Sequence, residues 1–270
     1  MTPRQAFDIP SCPGRRFAGC SAVVTGAARG IGRAIALRIG AEGGAVAVVA
    51  GSDRAGAEAV AAEIEAGGGR ALVHTVDVTD RVQIERLFDE VAAAFGGIDV
   101  LINNAGLGRP ARLLDLDETA WDDVFRVNAK GVFLASVAVA RHMAAQGRGG
   151  SIVNIAGASA HRCYPGAGAY GPAKAAVVSL TRQMALEWAD LGIRVNGVSP
   201  GPIRSIDGWE AREPALAEEV LRLPLKRAGT PEEVAAAVCH LASKEATYTT
   251  GQMLVVDGGG VETWYLSLGG

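Results

Sequence analysis

The sequence predicts one α/β domain built on a doubly wound parallel sheet, and three observations carry this. Short, near-continuous apolar segments alternate with helix-length segments from Ala22 to Val256. The first apolar segment runs directly into a glycine-rich turn that opens a helix. The chemically distinctive residues then collect just after the apolar segments. Apolar runs without polar alternation mark strands covered on both faces, the setting of parallel sheets with helical crossovers. A chain of 270 residues is long enough for one such domain, which would bury roughly 75% of its unfolded surface.

Each element follows from the pattern. Residues 1–17 carry Pro3, Pro10 and Pro13 among polar residues and read as a flexible arm, leaving 18–270 as the single domain. Ala22–Val24 is the first strand, followed by Thr25–Gly32 and a helix over Arg33–Ile39. Val46–Val49 is the second strand and Ala55–Ala66 its helix. Ala71–Val76 is the third strand, ending in Asp77-Val78, with Val82–Phe95 as the next helix. Val100–Ile102 leads into Asn103-Asn104-Ala105-Gly106, and one long helix, Glu118–Arg141, holds Asn128 at its middle. Ser151–Ile155 precedes the helix Tyr170–Trp188, and Arg194–Val198 runs into Ser199-Pro200-Gly201-Pro202. A Thr230-Pro231 start opens the helix Pro231–Ser243, and Gln252–Val256 is the last strand. In open sheets of this kind ligands bind beyond the carboxyl ends of the strands. Gly26, Asp77, Asn104, Gly157 and Pro200 all fall there.

Composition narrows the function classes. Net charge is −3, without the basic excess of a nucleic-acid footprint. Cys12, Cys20, Cys163 and Cys239 lie far apart with no CxxC, which argues against a metal site or a disulfide framework and for a reducing compartment. No apolar run has membrane-spanning length. Arg15-Arg16 does not open an export signal, because the apolar run after it breaks at Thr25-Gly26. The expected home is the cytoplasm.

Strand, glycine turn and helix together form a cradle for a dinucleotide pyrophosphate, whose charge sits at a helix N-terminus. Tyr170 and Lys174, four residues apart, share one helix face. A free phenol has a pKa near ~10, and lowering it by ~3 takes about 4 kcal/mol. One cation at ~4 Å in an effective dielectric of ~20 supplies about that much, so Lys174 is expected to favour the phenolate.

In these motifs the chain resembles the short-chain dehydrogenase/reductase family, in its single-domain branch, from about Gly19 to Gly259. Thr25-Gly26-x-x-x-Gly30-x-Gly32 resembles the family's coenzyme turn, and Asn103-Asn104-Ala105-Gly106 its central-strand signature. Asn128 matches the catalytic asparagine, Tyr170-x-x-x-Lys174 the active-site pair, and Pro200-Gly201 with Ile203 the segment at the carboxamide end of the nicotinamide. The resemblance implies a Rossmann-like fold and an NAD(P)-dependent oxidoreductase acting on a secondary alcohol or ketone, with Tyr170 moving the proton. It further implies that Lys174 bonds the nicotinamide ribose and that Asn128 holds a water linking Lys174 to solvent. Coenzyme contacts are implied for Gly26, Arg29, Gly30, Ile31, Gly32, Ser52, Asp77, Val78, Asn104, Ala105 and Gly106, and for Tyr170, Lys174, Pro200, Gly201 and Ile203. Asp77 and Val78 would meet the adenine, with helix capping as the alternative for Asp77.

NAD-using relatives carry an acid at the end of the second strand; here the segment is Val49-Ala50-Gly51-Ser52-Asp53-Arg54, with Asp53 late. Arg29, with Ser52 and Arg54 nearby, suits a 2′-phosphate. NADP(H) is therefore favoured over NAD(H). A small-molecule substrate is expected, under a lid over about 202–225. The faces Trp121–Ala145 and Tyr170–Trp188 fit a homotetramer or homodimer. Enoyl reduction is disfavoured, because enoyl-reducing relatives space the tyrosine and lysine more widely.

One departure stands out. The family's serine thirteen positions before the tyrosine is Gly157 here, in Asn154-Ile-Ala-Gly-Ala-Ser159. Losing such a donor costs on the order of 10²–10³ in rate. Three readings remain open. Ser159 takes over; a water, substrate group or other pocket residue does; or the chain is a weakly active or non-catalytic NADP-binding regulator.

Overall fold

A computed structural model of the chain describes residues 14–204 and 209–263. Among the described residues, seven strands form one parallel sheet: β1 (Ser21–Thr25), β2 (Ala45–Ala50), β3 (Arg70–Thr75), β4 (Val100–Asn103), β5 (Gly150–Ile155), β6 (Ile193–Pro200) and β7 (Met253–Val256). Their order is β3-β2-β1-β4-β5-β6-β7. Ala22 pairs with Val46 on one side and with Val100 on the other. The chain order therefore reverses between β1 and β4, and the crevice that opens beyond their carboxyl ends is where such sheets hold ligands.

The period-2 alternation of each strand divides the core into two faces. Ala22, Val24, Val46, Val48 and Ile102 pack against α1 (Gly30–Ala41), α2 (Arg54–Ala66) and α9 (Pro231–Ala242). Val23, Ala47, Val49, Leu101, Ile152 and Val195 face the other way, onto α3 (Arg81–Phe95), α5 (Gly131–Gln146) and α6 (Tyr170–Glu187). Side-chain caps open several of the helices. Thr230 and Glu233 form a reciprocal capping box ahead of α9, and Asp80 caps α3 by accepting from Val82 N and Gln83 N.

Two differences from the sequence reading go beyond shifts of one to three residues at element ends. The long helix expected over Glu118–Arg141 is interrupted: α4 (Glu118–Phe125) ends in a single π turn, Arg126–Lys130, before α5 begins. The packed chain also begins before residue 18. Phe17 is buried in the core and Arg16 pairs with Glu42 at 2.6 Å, so 16 and 17 belong to the domain, not to an arm. Residues 1–13 of that expected arm lie outside the described residues. In the segment 202–225, two short helices occur, α7 (Trp209–Arg212) and α8 (Pro214–Val220), and 205–208 lie outside the described residues. Among the described residues no helix is long and apolar enough to cross a membrane.

A buried polar chain ties the centre of the sheet to its helices. Asn103 Nδ2 donates to Ser136 Oγ on α5 at 2.9 Å and to Asn154 Oδ1 on β5 at 2.8 Å. Asn154 Nδ2 donates to Thr181 Oγ1 on α6 at 2.9 Å, and Thr181 Oγ1 donates to Val177 O at 2.8 Å. All four side chains are buried, so an unmade bond cannot fall back on water. Asn154→Leu removes one partner from Asn103 and one from Thr181. We expect it to lower unfolding stability by about 2–6 kcal/mol, two unmade buried bonds at roughly 1–3 kcal/mol each. A urea midpoint that falls with an unchanged slope would show this, whereas a loss under about 0.5 kcal/mol would mean that the chain is not coupled.

Candidate active site

The glycine turn is fastened to the end of β4 by Thr25 and Asn104. Thr25 Oγ1 donates to Ile102 O and accepts from Asn104 N at 3.0 Å and Ala105 N at 3.1 Å. Asn104 Nδ2 returns two bonds, to Thr25 O and Gly26 O, both at 3.0 Å. Gly26 takes φ +63°, in the left-handed region. A Cβ on Gly32 would lie 2.5 Å from Asn104 Nδ2 and nearer still to the Gly26 carbonyl, so side chains there would force the turn open. Asn104 lines the cleft, but its amide is spent on holding the turn.

Beyond the turn lies a cleft of about 540 Å³ lined by Ile31, Asn104, Gly106, Tyr170, Lys174, Pro200, Gly201 and Ile203, eight of the predicted residues. A second cleft of about 500 Å³ shares Gly157, Tyr164, Tyr170, Pro200, Gly201 and Arg204 with it and adds Ser159. Gly26, Arg29, Gly30, Gly32, Ser52, Asp77, Val78, Ala105 and Asn128 line neither cleft. Asp77 accepts from Thr79 N at 2.8 Å, and Asp80, not Asp77, caps α3. Val78 packs beneath Gly131, where a Cβ would meet its side chain at 3.0 Å.

Tyr170 and Lys174 occupy the first two turns of α6, and the Lys174 amine lies 5.5 Å from the centre of the Tyr170 ring. Lys174 is buried, and its Nζ donates to Ile155 O at 2.8 Å. Burial without a carboxylate partner pushes its pKa down to about 8. The phenol moves opposite to the sequence expectation: burial, and then the nearby Tyr164, push Tyr170 above the ordinary tyrosine value. The ammonium directs its hydrogen bond at the Ile155 carbonyl, and burial sets the direction in which the phenol shifts.

Asn128 falls in the π turn and is buried. Its Nδ2 donates to Leu107 O at 2.7 Å and Val124 O at 2.9 Å, and its Oδ1 accepts from Leu107 N at 3.3 Å. The side chain thus staples the loop after β4 to the α4–α5 junction. A Cβ on Gly106 would stand 2.9 Å from Asn128 Oδ1 and 3.6 Å from Lys174 Nζ, so the two side chains flank this glycine.

After β5 the chain turns through a 3-10 segment, Ala158–Ala160. Gly157 precedes it with φ 174°, extended backbone open to any residue. A Cβ on Gly157 would lie 3.3 Å from Ser159 Oγ and 3.6 Å from Tyr170 Oη. Ser159 Oγ is shut off from solvent and has no hydrogen-bond partner among the described residues. Two contacts that sequence reasoning missed hold this loop. His161 Nε2 lies 2.8 Å from Ser199 Oγ, and Arg162 Nη1 donates to Gly260 O at 2.6 Å and Thr263 O at 2.8 Å. Nothing in the local sequence pairs residues 38 to 101 positions apart.

A family model described as enoyl-(acyl carrier protein) reductase matches residues 26–260. The chain belongs to the short-chain dehydrogenase/reductase family. It is 39% identical over 90% of its length to 98% of a 3-oxoacyl-[acyl-carrier-protein] reductase of Thermotoga maritima. It is 43% identical over 91% of its length to 98% of a cis-4-hydroxycyclohexanecarboxylate dehydrogenase of Sinomonas cyclohexanicum. The solved acetoin dehydrogenase of Enterobacter cloacae superposes with a TM-score of 0.84 at 37% identity, covering 92% of this chain and 98% of that one. The chain is an NAD(P)-dependent oxidoreductase that moves a hydride between a nicotinamide coenzyme and a CH–OH or C=O group.

Lys174 sets the first pH dependence. Its ammonium is the form that attracts anionic or ribose oxygens, and that form is lost as pH rises through about 8. The raised phenol of Tyr170 contributes no limb in that range. We expect kcat/KM for carbonyl reduction, which reports groups of the free enzyme, to fall above pH ~8. A profile flat to pH 10 would show that Lys174 keeps its proton in the free enzyme.

Proposed function

We propose that the chain reduces a ketone, and reoxidises the matching secondary alcohol, with NADP(H) favoured over NAD(H) and Tyr170 as the proton donor. The observation that carries this is the placing of the partly buried Tyr170 phenol on the wall shared by the two clefts, with the buried Lys174 amine beside it in the first cleft. The glycine turn fits a pyrophosphate, because side chains are excluded where the backbone must approach and α1 begins there with its N–H groups free to bond. The coenzyme supplies the hydride. Gly26, Gly30 and Gly32 would cradle its phosphates, with Asp77 and Val78 toward its adenine. Ile31, Asn104, Ala105, Gly106, Pro200, Gly201 and Ile203 would line its path to the nicotinamide.

Lys174 orients and charges that end of the cleft, and Tyr170 hands its proton to the substrate oxygen. Asn128 supports them by fixing the loop that carries Gly106 and Leu107. The NADP(H) preference draws support from the end of β2. Gly51 and Ser52 are exposed there, and Asp53 is engaged as the α2 cap, accepting from Gly56 N at 3.0 Å. Arg54 pairs with Glu58 at 2.8 Å, while Arg29 stands exposed at the start of α1. A guanidinium suits the extra charge of a 2′-phosphate.

A carbonyl substrate is favoured over an enoyl one. Tyr170 and Lys174 are one helical turn apart, and the relatives' names specify a 3-oxoacyl group, a hydroxycyclohexane and acetoin, each with a ketone or secondary alcohol. The free thiols of Cys20, Cys163 and Cys239 support a reducing, cytoplasmic setting.

A panel of ketones and secondary alcohols followed by coenzyme absorbance tests the reading. NADPH should give at least tenfold higher kcat/KM than NADH, about 1.4 kcal/mol of discrimination. Tyr170→Phe should lose at least 10²-fold in kcat, as expected on removing a general acid. Preference for NADH would reverse the coenzyme assignment, and full activity in Tyr170→Phe would remove the phenol from the chemistry.

Copies of the chain are proposed to associate through α5 and α6. Phe133, Val137, Leu180, Met184 and Leu191 line a groove of about 450 Å³ there, with Phe133 and Leu191 exposed. Sedimentation should give a dimer or tetramer that Phe133→Glu dissociates; a monomeric wild type would rule the interface out.

A further inference from the structure

We propose that Ser159 supplies the hydroxyl that binds the substrate oxygen opposite Tyr170, delivered from two residues beyond Gly157 by the 3-10 turn. The inference deepens the carbonyl-reductase reading and rests on it. Four observations support it. Ser159 Oγ is enclosed and without a hydrogen-bond partner among the described residues, although it borders the second cleft. A buried donor left unpaired is costly, and a ligand that completes it removes the cost. Ser159 Oγ and Tyr170 Oη stand 3.3 Å and 3.6 Å from one point, the Cβ position of Gly157, so both hydroxyls border the same small volume. Gly157 is extended, so its backbone does not demand glycine. What glycine provides is room, since a side chain would press on Ser159 Oγ.

The turn is also rigid enough to aim a donor. A Cβ on Gly171 would lie 3.0 Å from Ser159 O, so the first turn of α6 sits directly on this segment. Ala160 N donates to Gly157 O at 2.9 Å and His161 N to Ala158 O at 2.9 Å, closing the turn. Arg162 anchors its far end to Gly260 O and Thr263 O. A donor fixed before the reaction stabilises charge on the substrate oxygen without reorganising. In carbonyl reduction the hydride adds to carbon, the C=O π pair moves to oxygen, and the Tyr170 proton neutralises it. Ser159 donates a hydrogen bond throughout and keeps its proton.

The test compares wild type, Ser159→Ala, Gly157→Ser and the double variant on a ketone that the wild type reduces, with coenzyme affinity measured separately by fluorescence titration. Ser159→Ala should lower kcat by at least tenfold, more than it changes KM, with coenzyme Kd within twofold. Gly157→Ser alone should bring no gain, because its Cβ crowds Ser159 Oγ at 3.3 Å. In the double variant, where that crowding is gone, the hydroxyl at 157 should recover at least tenfold of the loss. A merely structural Ser159 would not be rescued from position 157. Turnover within twofold in Ser159→Ala overturns the assignment, as does a double variant no better than Ser159→Ala. A wild type that binds coenzyme but reduces no ketone on the panel would instead sink the carbonyl-reductase reading, and this assignment with it.

Discussion

The structure depends on one amine being buried where the sheet opens. Lys174 sits at the carboxyl end of β5 with a backbone carbonyl as its bonding partner. Desolvation disfavours its charge, and that is why it titrates near 8 instead of near the ordinary lysine value. The unfolded chain therefore binds more protons than the folded one between about pH 8 and 10.5. Stability gains from this residue as pH rises through that window, and the folded state carries its burial as a cost below it. A fold retains such a group when the surroundings hold it in place. Here α6 begins at Tyr170, Gly106 leaves room for the amine, and the buried Asn103–Asn154–Thr181 chain locks β4 and β5 to α6.

Much of this was legible in the sequence because it is local. Mostly apolar runs of three to six residues locate the seven strands of the described residues, and both sheet faces are apolar, so alternation is hidden in the sequence and visible only in the packing. Tyr170 and Lys174 need nothing but helix periodicity to come together. The glycine turn was equally readable, but not the job of Asn104, whose amide bonds cross from β4 to β1.

What escaped depends on contacts distant in sequence or on a balance of energies. The helix pattern continues unbroken through Arg126–Lys130, so nothing in the periodicity announces a π turn; it becomes useful only because it lets Asn128 reach Leu107 and Val124. Asp77 and Asp80 both have the chemistry of a cap, and the backbone chose Asp80. The direction of the Tyr170 shift depends on the depth of the phenol and the aim of the amine, which bonds Ile155 O, and neither is readable from a four-residue spacing. Arg16 and Phe17 looked like arm because their partners, Glu42 and the sheet core, are fixed only by the fold.

The glycine turn and the second cleft are built in different ways. At the turn, backbone approaches backbone: Gly26, Gly32 and Ala105 leave no slack, and a moved residue would displace the turn itself. At the second cleft, one wall is formed by a short turn with its own closed hydrogen bonds, from which Ser159 projects. A 3-10 turn advances only about 2.0 Å per residue, so a group carried two positions later stays within a few ångströms of where an earlier one would stand. The geometric demand on a hydrogen-bond donor is a distance and a direction to one oxygen, not a position in the chain. Exchange of a hydroxyl between neighbouring positions is thus compatible with a fixed phenol and amine, whereas exchange along α6 by two positions would turn either of them to another face of the helix.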